Sequence, residues 1–215
     1  MMINSADSTL SGALAEATER ALVEAELRLP PDVLAVLRRA AATERNEIAR
    51  QEFTNILENV ELARERRVPI CQDTGVPVVY ITLPPDVPFS ASLFTGVREG
   101  VRRATAAIPL RPNVVDPLTR ENTGDNTGVG VPVVHVAPGD RFTVTVLPKG
   151  AGSENVSRIG MLLPSQAAEV PKFVVETVLL AGGRPCPPVI LGVGIGGTFD
   201  AAAALAKEAL LLPVD

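Results

Sequence analysis

The sequence predicts an α+β protein, a helical N-terminal region packed on a mixed-sheet core. Three observations carry that expectation. The first 68 residues are dominated by Ala-, Glu- and Leu-rich stretches, the longest with apolar residues every three or four positions. From Val76 onward, short β-branched segments alternate with further helical ones. Apolar residues make up 46% of the 215 and charged residues 21%, so a packed core is expected and disorder is not. Aromatics are only 3%, with no Trp, so that core must be built from Val, Leu, Ile and Ala. A single domain over 1–215 is expected, helical over 1–68 and α/β over 69–215.

Residues 10–27 read as a helix rich in Ala, Glu and Leu. Pro30 and Pro31 interrupt the pattern and open a short helix to about Ala42, since proline is tolerated in a first helical turn. A longer helix is expected over 44–66. Its apolar stripe is Ala49, Phe53, Ile56, Val60 and Ala63, and its opposite face is Glu47, Arg50, Glu58, Glu61 and Glu65. Residues 76–83 are short and β-branched, hence a strand. Residues 90–107 form a helix with Ser90 as N-cap. Residues 111–130 have no apolar period and read as loop.

Two strands follow, over 131–136 and 141–147. The Ala137-Pro138-Gly139-Asp140 turn between them predicts a hairpin. Phe142, Val144 and Val146 alternate with Arg141, Thr143 and Thr145, the pattern of a half-exposed strand. Residues 149–157 are a glycine-bearing loop. A helix over 165–181 presents Val170, Phe173, Val174, Thr177, Val178 and Ala181 on one face. A buried strand is expected over 189–195, and an Ala-rich helix over 198–212.

The net charge of −5 argues against nucleic acid as the main partner. The first residues lack the basic flank and apolar stretch of a leader, and no apolar run approaches the roughly 20 residues that span a bilayer. A cytoplasmic protein with reduced thiols is therefore expected, and its cysteines are either free to bind a metal or, as free cysteine commonly is, buried and inert, the reading that composition alone favours. There are only two, Cys71 and Cys186, and each lies in a Pro/Gly-rich loop.

The segment at 69–75, Pro-Ile-Cys-Gln-Asp-Thr-Gly, carries the densest chemistry. A thiol, an amide, a carboxylate and a hydroxyl stand in consecutive positions, a mixture that a core cannot satisfy and a site can use. Arg111 and Arg120 are of the type that clamps carboxylates bidentately, although either alone is more often a surface ion-pair partner. Lys149 with the small residues after it is either an anion cradle or a solvated lysine at a strand exit. Gly192, Gly194 and Gly197 satisfy G-x-G-x-x-G in form. The acid-bearing second strand of a dinucleotide site does not follow, so close backbone approach is the better reading. His135, the only histidine, lies mid-strand and reads as structural.

Several further motifs stand in one order along the chain. They are Glu-Gly-Val-Arg at 99–102, Leu-Arg-Pro-Asn-Val-Val-Asp-Pro-Leu at 110–118 and Asn-Thr-Gly-Asp-Asn-Thr at 122–127. Pro-Lys-Gly at 148–150, Gly-Ser-Glu-Asn at 152–155, Cys-Pro-Pro at 186–188, Gly-Val-Gly-Ile-Gly-Gly-Thr at 192–198 and Leu-Ala-Lys-Glu-Ala-Leu at 205–210 follow. With 69–75, these resemble the α subunit of the iron–sulfur hydro-lyases of the class I fumarase and L-tartrate dehydratase type, over nearly the whole chain from about residue 30.

The resemblance implies a [4Fe–4S] cluster held by three cysteines, its fourth iron open to substrate. Cys71 and Cys186 match two of the ligands. Asp73 matches the acid–base carboxylate, Gln72 and Arg111 match substrate-binding side chains, and Gly152 matches a loop whose backbone touches substrate. The implied reaction adds or removes water across the C2–C3 bond of a four-carbon dicarboxylate. Fumarate to malate, a step of the tricarboxylic acid cycle, is the commoner assignment, with L-tartrate dehydration or a non-catalytic scaffold as alternatives. A β subunit, and assembly as α2β2 or as an oligomer of α, are implied partners. The family's third cysteine lies in a segment beyond the last helix here, so the chain is expected to lack that segment.

Overall fold

A computed structural model describes residues 5–214, and side chains from residue 8 onward. Residues 1–4, part of the stretch searched for a leader, lie outside the described residues. The described chain is α+β and divides into two compact units, one running to Lys149 and one spanning Gly150–Val214.

The first unit holds helices α1 (Ser5–Leu27), α2 (Pro31–Thr43), α3 (Glu47–Arg66) and α4 (Ala91–Ala107). It also holds strands β1 (Val76–Leu83), β2 (Val133–Pro138) and β3 (Thr143–Lys149). Local chemistry sets most of these ends. Pro31 starts α2. The Asn46 side chain accepts the Ile48 and Ala49 N–H groups at 3.0 and 3.1 Å, which places the start of α3 three residues later than the apolar pattern suggests. Ser90 accepts the Ser92 N–H at 3.3 Å and caps α4 as expected. The α3 stripe behaves as its spacing predicts, with Val60 and Ala63 buried and Glu47, Arg50, Glu58 and Glu65 exposed.

The sheet departs from expectation. Residues 131–147 do not form a hairpin. The strand order is β2-β1-β3, with β2 parallel and β3 antiparallel to β1. β1 is the most apolar strand, with Val78, Val79 and Ile81 at most 1% exposed, and it gains most from a partner on each edge. The connection between β2 and β3 instead crosses the end of β1. There the Gly139 N–H bonds the Leu83 carbonyl at 3.1 Å, and Gly139 lies against Thr82 with no room for a Cβ. The glycine that looked like a turn signal is a crossing point. Within β3 the predicted alternation holds, with Thr143 and Thr145 exposed and Val144 and Val146 half-buried. His135 lies in β2 opposite Tyr80, and their rings stack at 4.9 Å.

Helices α1 and α4 pack closely because α4 presents glycines. A Cβ at Gly96 would lie 2.6 Å from the Ser11 carbonyl oxygen, and one at Gly100 would lie 2.6 Å from that of Ala15. One core cluster joins Leu14 to Val79, Ile81, Leu93 and Val97. A second joins Leu22 and Leu27 to Val101, Ala104, Ile108 and Leu110. Each fully buried side chain of this kind contributes about 1.5–3 kcal/mol. The helical region and the sheet thus share a core.

The second unit begins with one helical turn, α5 (Ala151–Glu154), inside the segment expected to be loop. The helix expected over 165–181 starts as a 3-10 helix (Pro164–Glu169) and becomes α6 at Val170–Ala181. Its predicted face, Val170 through Ala181, is the less exposed one. The buried strand expected at 189–195 is overturned. That segment has no regular structure and no sheet partner, and Ile190, Leu191, Val193 and Ile195 are 44–68% exposed. Its glycines explain the difference. Gly192 and Gly194 lie against the backbone of α7 (Phe199–Ala209), at the carbonyls of Ala206 and Ala202, so the segment packs on a helix instead of pairing with a strand. Among the described residues, no helix is long and apolar enough to cross a membrane.

Candidate active site

Loop 71–75 sits between α3 and the start of β1, and hydrogen bonds tie both its shoulders down. The Ile70 N–H bonds the Glu26 carbonyl of α1 at 3.0 Å, and the Asn59 amide of α3 bonds the Ile70 carbonyl at 2.7 Å. At the far side, the buried Thr74 hydroxyl donates to the Arg111 carbonyl at 3.3 Å and accepts the Arg111 N–H at 3.1 Å. Gly75 then turns into β1 with φ +71°, which only glycine adopts without strain.

These anchors present the reactive side chains outward. Cys71 and Gln72 are exposed and Asp73 is half-buried. The Asp73 N–H points at the Cys71 sulfur at 3.4 Å. Asp73 Oδ1 accepts the Gly75 N–H at 3.2 Å and the Asn113 amide at 3.3 Å. Asn113 also donates to the Gly75 carbonyl at 3.0 Å. Its own N–H is held by Asn126 Oδ1 at 2.9 Å, and Asn126, at φ 58°, donates to the Arg111 carbonyl at 3.2 Å. The Arg111 side chain is exposed.

The structure therefore brings Cys71, Gln72, Asp73 and Arg111 together. The other two predicted residues lie in the second unit. Gly152 stands within α5, whose Ser153 hydroxyl bonds the Gly150 carbonyl at 2.9 Å. Cys186 is exposed, at φ 56°, its N–H bonded to the Gly183 carbonyl at 3.2 Å. Neither cysteine is in a disulfide, and among the described residues no group of three His, Cys, Asp or Glu side chains is placed to hold a metal ion.

Reading the residues one by one missed the supporting groups. Asn113 and Asn126 lie inside motifs already picked out, but their hydrogen bonds require the 111–130 loop to fold back onto β1. That loop carries a second support. Burial pushes the Asp125 carboxyl up, but hydrogen bonds from Thr127, Thr123 and Arg102 outweigh it and hold the group well below the usual carboxylate range. Arg102 meets Asp125 at 2.9 Å and ties the loop to α4. Glu26 had no signal at all, since a glutamate near a helix end reads as solvated. It is only 7% exposed, and burial and the neighbouring Asp73 charge push its carboxyl up to about 8.

A separate groove along α2 and α3 is lined by Arg38, Leu57, Glu58, Glu61, Leu62 and Glu65. Its three carboxylates would repel a dicarboxylate, so it does not compete as the site.

The fit to an iron–sulfur group can be judged on the two cysteines. Free cysteine is among the most buried side chains. Here both thiols are exposed on anchored loops, and Cys71 receives a backbone N–H, as thiolate ligands of such clusters do. Each thiol by itself is accessible to such a group.

Comparison with known proteins identifies the family. The fumarate hydratase (Fumerase) family profile matches residues 15–215. The chain is 45% identical over 195 residues to a putative L(+)-tartrate dehydratase subunit alpha of Methanocaldococcus jannaschii, covering 87% of this chain and 68% of that one. It is 34% identical over 191 residues to the L(+)-tartrate dehydratase subunit alpha of Escherichia coli strain UTI89, covering 87% of this chain and 63% of that one. The K12 counterpart is 32% identical over the same length. The chain thus spans about two thirds of the length of these relatives. With the motifs at 69–75, 110–118 and 122–127 folded into one hydrogen-bonded site, the chain belongs to the fumarate hydratase (Fumerase) family, the class I fumarase and tartrate dehydratase α-subunit family.

Proposed function

We propose that this chain is the α subunit of a hydro-lyase that reversibly adds water to fumarate to give malate. One observation carries the reading. The Asp73 carboxylate is pinned through Oδ1 by Asn113 and the Gly75 N–H, between an exposed thiol on one side and the Arg111 segment on the other. Two hydrogen bonds to one oxygen fix the direction of the carboxyl group, as a proton-transfer group requires.

In the dehydration direction, Asp73 accepts the proton of the carbon α to a carboxylate as the C–H bond breaks. The C–O bond of the neighbouring carbon breaks, and the released hydroxide and a proton leave as water. The exposed Arg111 guanidinium offers a bidentate clamp for a substrate carboxylate, and Gln72 offers an amide beside it. The backbone of α5 at Gly152 is a further substrate contact in this reading. Cys71 and Cys186 would hold two corners of a [4Fe–4S] cluster, which when bound supplies a Lewis acid for the substrate hydroxyl and carboxylate. A β subunit, joined as α2β2 or with an oligomer of α, completes the enzyme. The same residues suit L(+)-tartrate, and the names borne by the relatives favour that second reading.

The test is anaerobic loading of the chain with iron and sulfide, alone and with a candidate β subunit, followed by assays with malate and with tartrate. Turnover of malate supports the proposal, and turnover of tartrate alone moves the substrate. No turnover under either condition leaves a scaffold and refutes the enzyme reading. Asp73→Asn is expected to lower turnover about 10²–10⁴-fold with iron and sulfide content unchanged. Unchanged turnover would remove Asp73 from its role.

A further inference from the structure

The helix α5 is a single turn of four residues, and none of its side chains is fully buried. One turn is far below the length at which a helix holds itself in water. Its internal bonds fix its shape. The Gly150 carbonyl accepts both the Glu154 N–H and the Ser153 hydroxyl at 2.9 Å, and the Ala151 carbonyl accepts the Asn155 N–H at 3.0 Å. None of these bonds fixes its place. A backbone that meets substrate at Gly152 needs a fixed place, because small displacements of a contact are costly.

The second unit supplies a tie. Lys207 Nζ of α7 meets Glu154 Oε1 at 2.8 Å, with the two side chains 28% and 37% exposed. A pair this accessible adds little to overall stability, so position is its contribution. The longer helix α7, with eleven residues, also carries the segment that follows Cys186. Gly192 and Gly194 leave no room for a Cβ against the carbonyls of Ala206 and Ala202. Ala206 adjoins Lys207, so one stretch of α7 underlies the glycine segment and, through Lys207, reaches α5.

We propose that Lys207 is a positioning residue whose ion pair with Glu154 anchors α5 on α7 and so places the Gly152 backbone for substrate. This rests on the reading of α5 as a substrate contact. Lys207→Met keeps the length of the side chain and removes its charge; Glu154→Gln keeps the shape and removes the other charge.

The test compares both single variants and the double variant with wild type. The first readout is amide hydrogen exchange of residues 150–157 in the full chain, together with the thermal midpoint. Each single variant is expected to exchange about tenfold faster there, with the midpoint lowered by no more than about 4 °C. The double variant is expected to be no looser than either single one, because the two side chains act through each other. The second readout is kinetics of the assembled, cluster-loaded enzyme with whichever of malate and tartrate it turns over. Lys207→Met is expected to raise KM about tenfold with kcat within about threefold of wild type.

Wild-type exchange in Lys207→Met overturns the proposal, and so does a double variant about a hundredfold looser than wild type, which would mean that the two residues act independently. Faster exchange with an unchanged KM also overturns it, since the pair would then be structural only. If the assembled wild-type enzyme turns over neither malate nor tartrate, the hydro-lyase reading fails. The exchange comparison then decides by itself whether Lys207 anchors α5.

Discussion

The stability of the first unit should fall as pH rises, because of Glu26. Its carboxyl has an ordinary value of 4.5 and is pushed up to about 8 in the fold, first by burial and then by the Asp73 charge. Between those two values the folded state holds a proton that the unfolded chain has lost. Stability therefore declines with pH throughout that window, from a full contribution below about 4.5 to none above about 8. Each pH unit well inside the window costs about 1.4 kcal/mol, so the loss between pH 5 and 9 comes to about 4 kcal/mol. Glu26→Gln cannot ionise, and its stability profile lacks this slope.

The assay is urea unfolding followed by tyrosine fluorescence. The chain has one tyrosine and no tryptophan, and Tyr80 lies in β1, so the signal reports the unit that contains Glu26. The difference between the Gln variant and wild type should grow by about 4 kcal/mol in favour of Gln from pH 5 to pH 9. Parallel profiles would refute the reasoning, since they would mean that Glu26 ionises as freely in the fold as in the open chain.

Two further outcomes follow from the packing. Gly100→Ala forces a Cβ to 2.6 Å from both the Ala15 carbonyl and the Thr18 Cβ. It should destabilise the first unit by about 1–3 kcal/mol in the same urea assay, despite the better helix propensity of alanine. Asn113→Ala removes the amide that bonds Asp73 Oδ1 and the Gly75 carbonyl. In the loaded enzyme it should lower kcat about tenfold or more with a smaller change in KM; an effect on KM alone would mean that Asn113 serves binding and not Asp73.

How much could be read from the sequence differs between the elements and the site. The stripe of Ala49, Phe53, Ile56, Val60 and Ala63 located α3, because a 3.6-residue period is a local property. Ser90 placed the start of α4 for the same reason. The β-branched run located β1 to the residue. Strand pairing was not legible. Ala137-Pro138-Gly139-Asp140 has the composition of a hairpin turn, yet β1 takes the place between β2 and β3. Pairing is a competition among non-local partners, and the most apolar strand wins the centre.

The same division runs through the site. The order of residues alone singled out Cys71, Gln72 and Asp73, because that mixture of groups has no use in a core, whereas Arg111 alone reads as a surface ion-pair partner and stands out only through the family motif at 110–118. The residues that support the loop are another matter. Asn113 bonds Asp73 across 40 positions of sequence, and the Glu26 carbonyl holds Ile70 from a helix that ends before α2 begins. Burial is what separates Glu26 from the solvated glutamates around it, and burial exists only once α1 has packed. Chemical identity is thus written residue by residue, whereas proton affinity and orientation arise from the low-dielectric, hydrogen-bonded surroundings that tertiary structure builds.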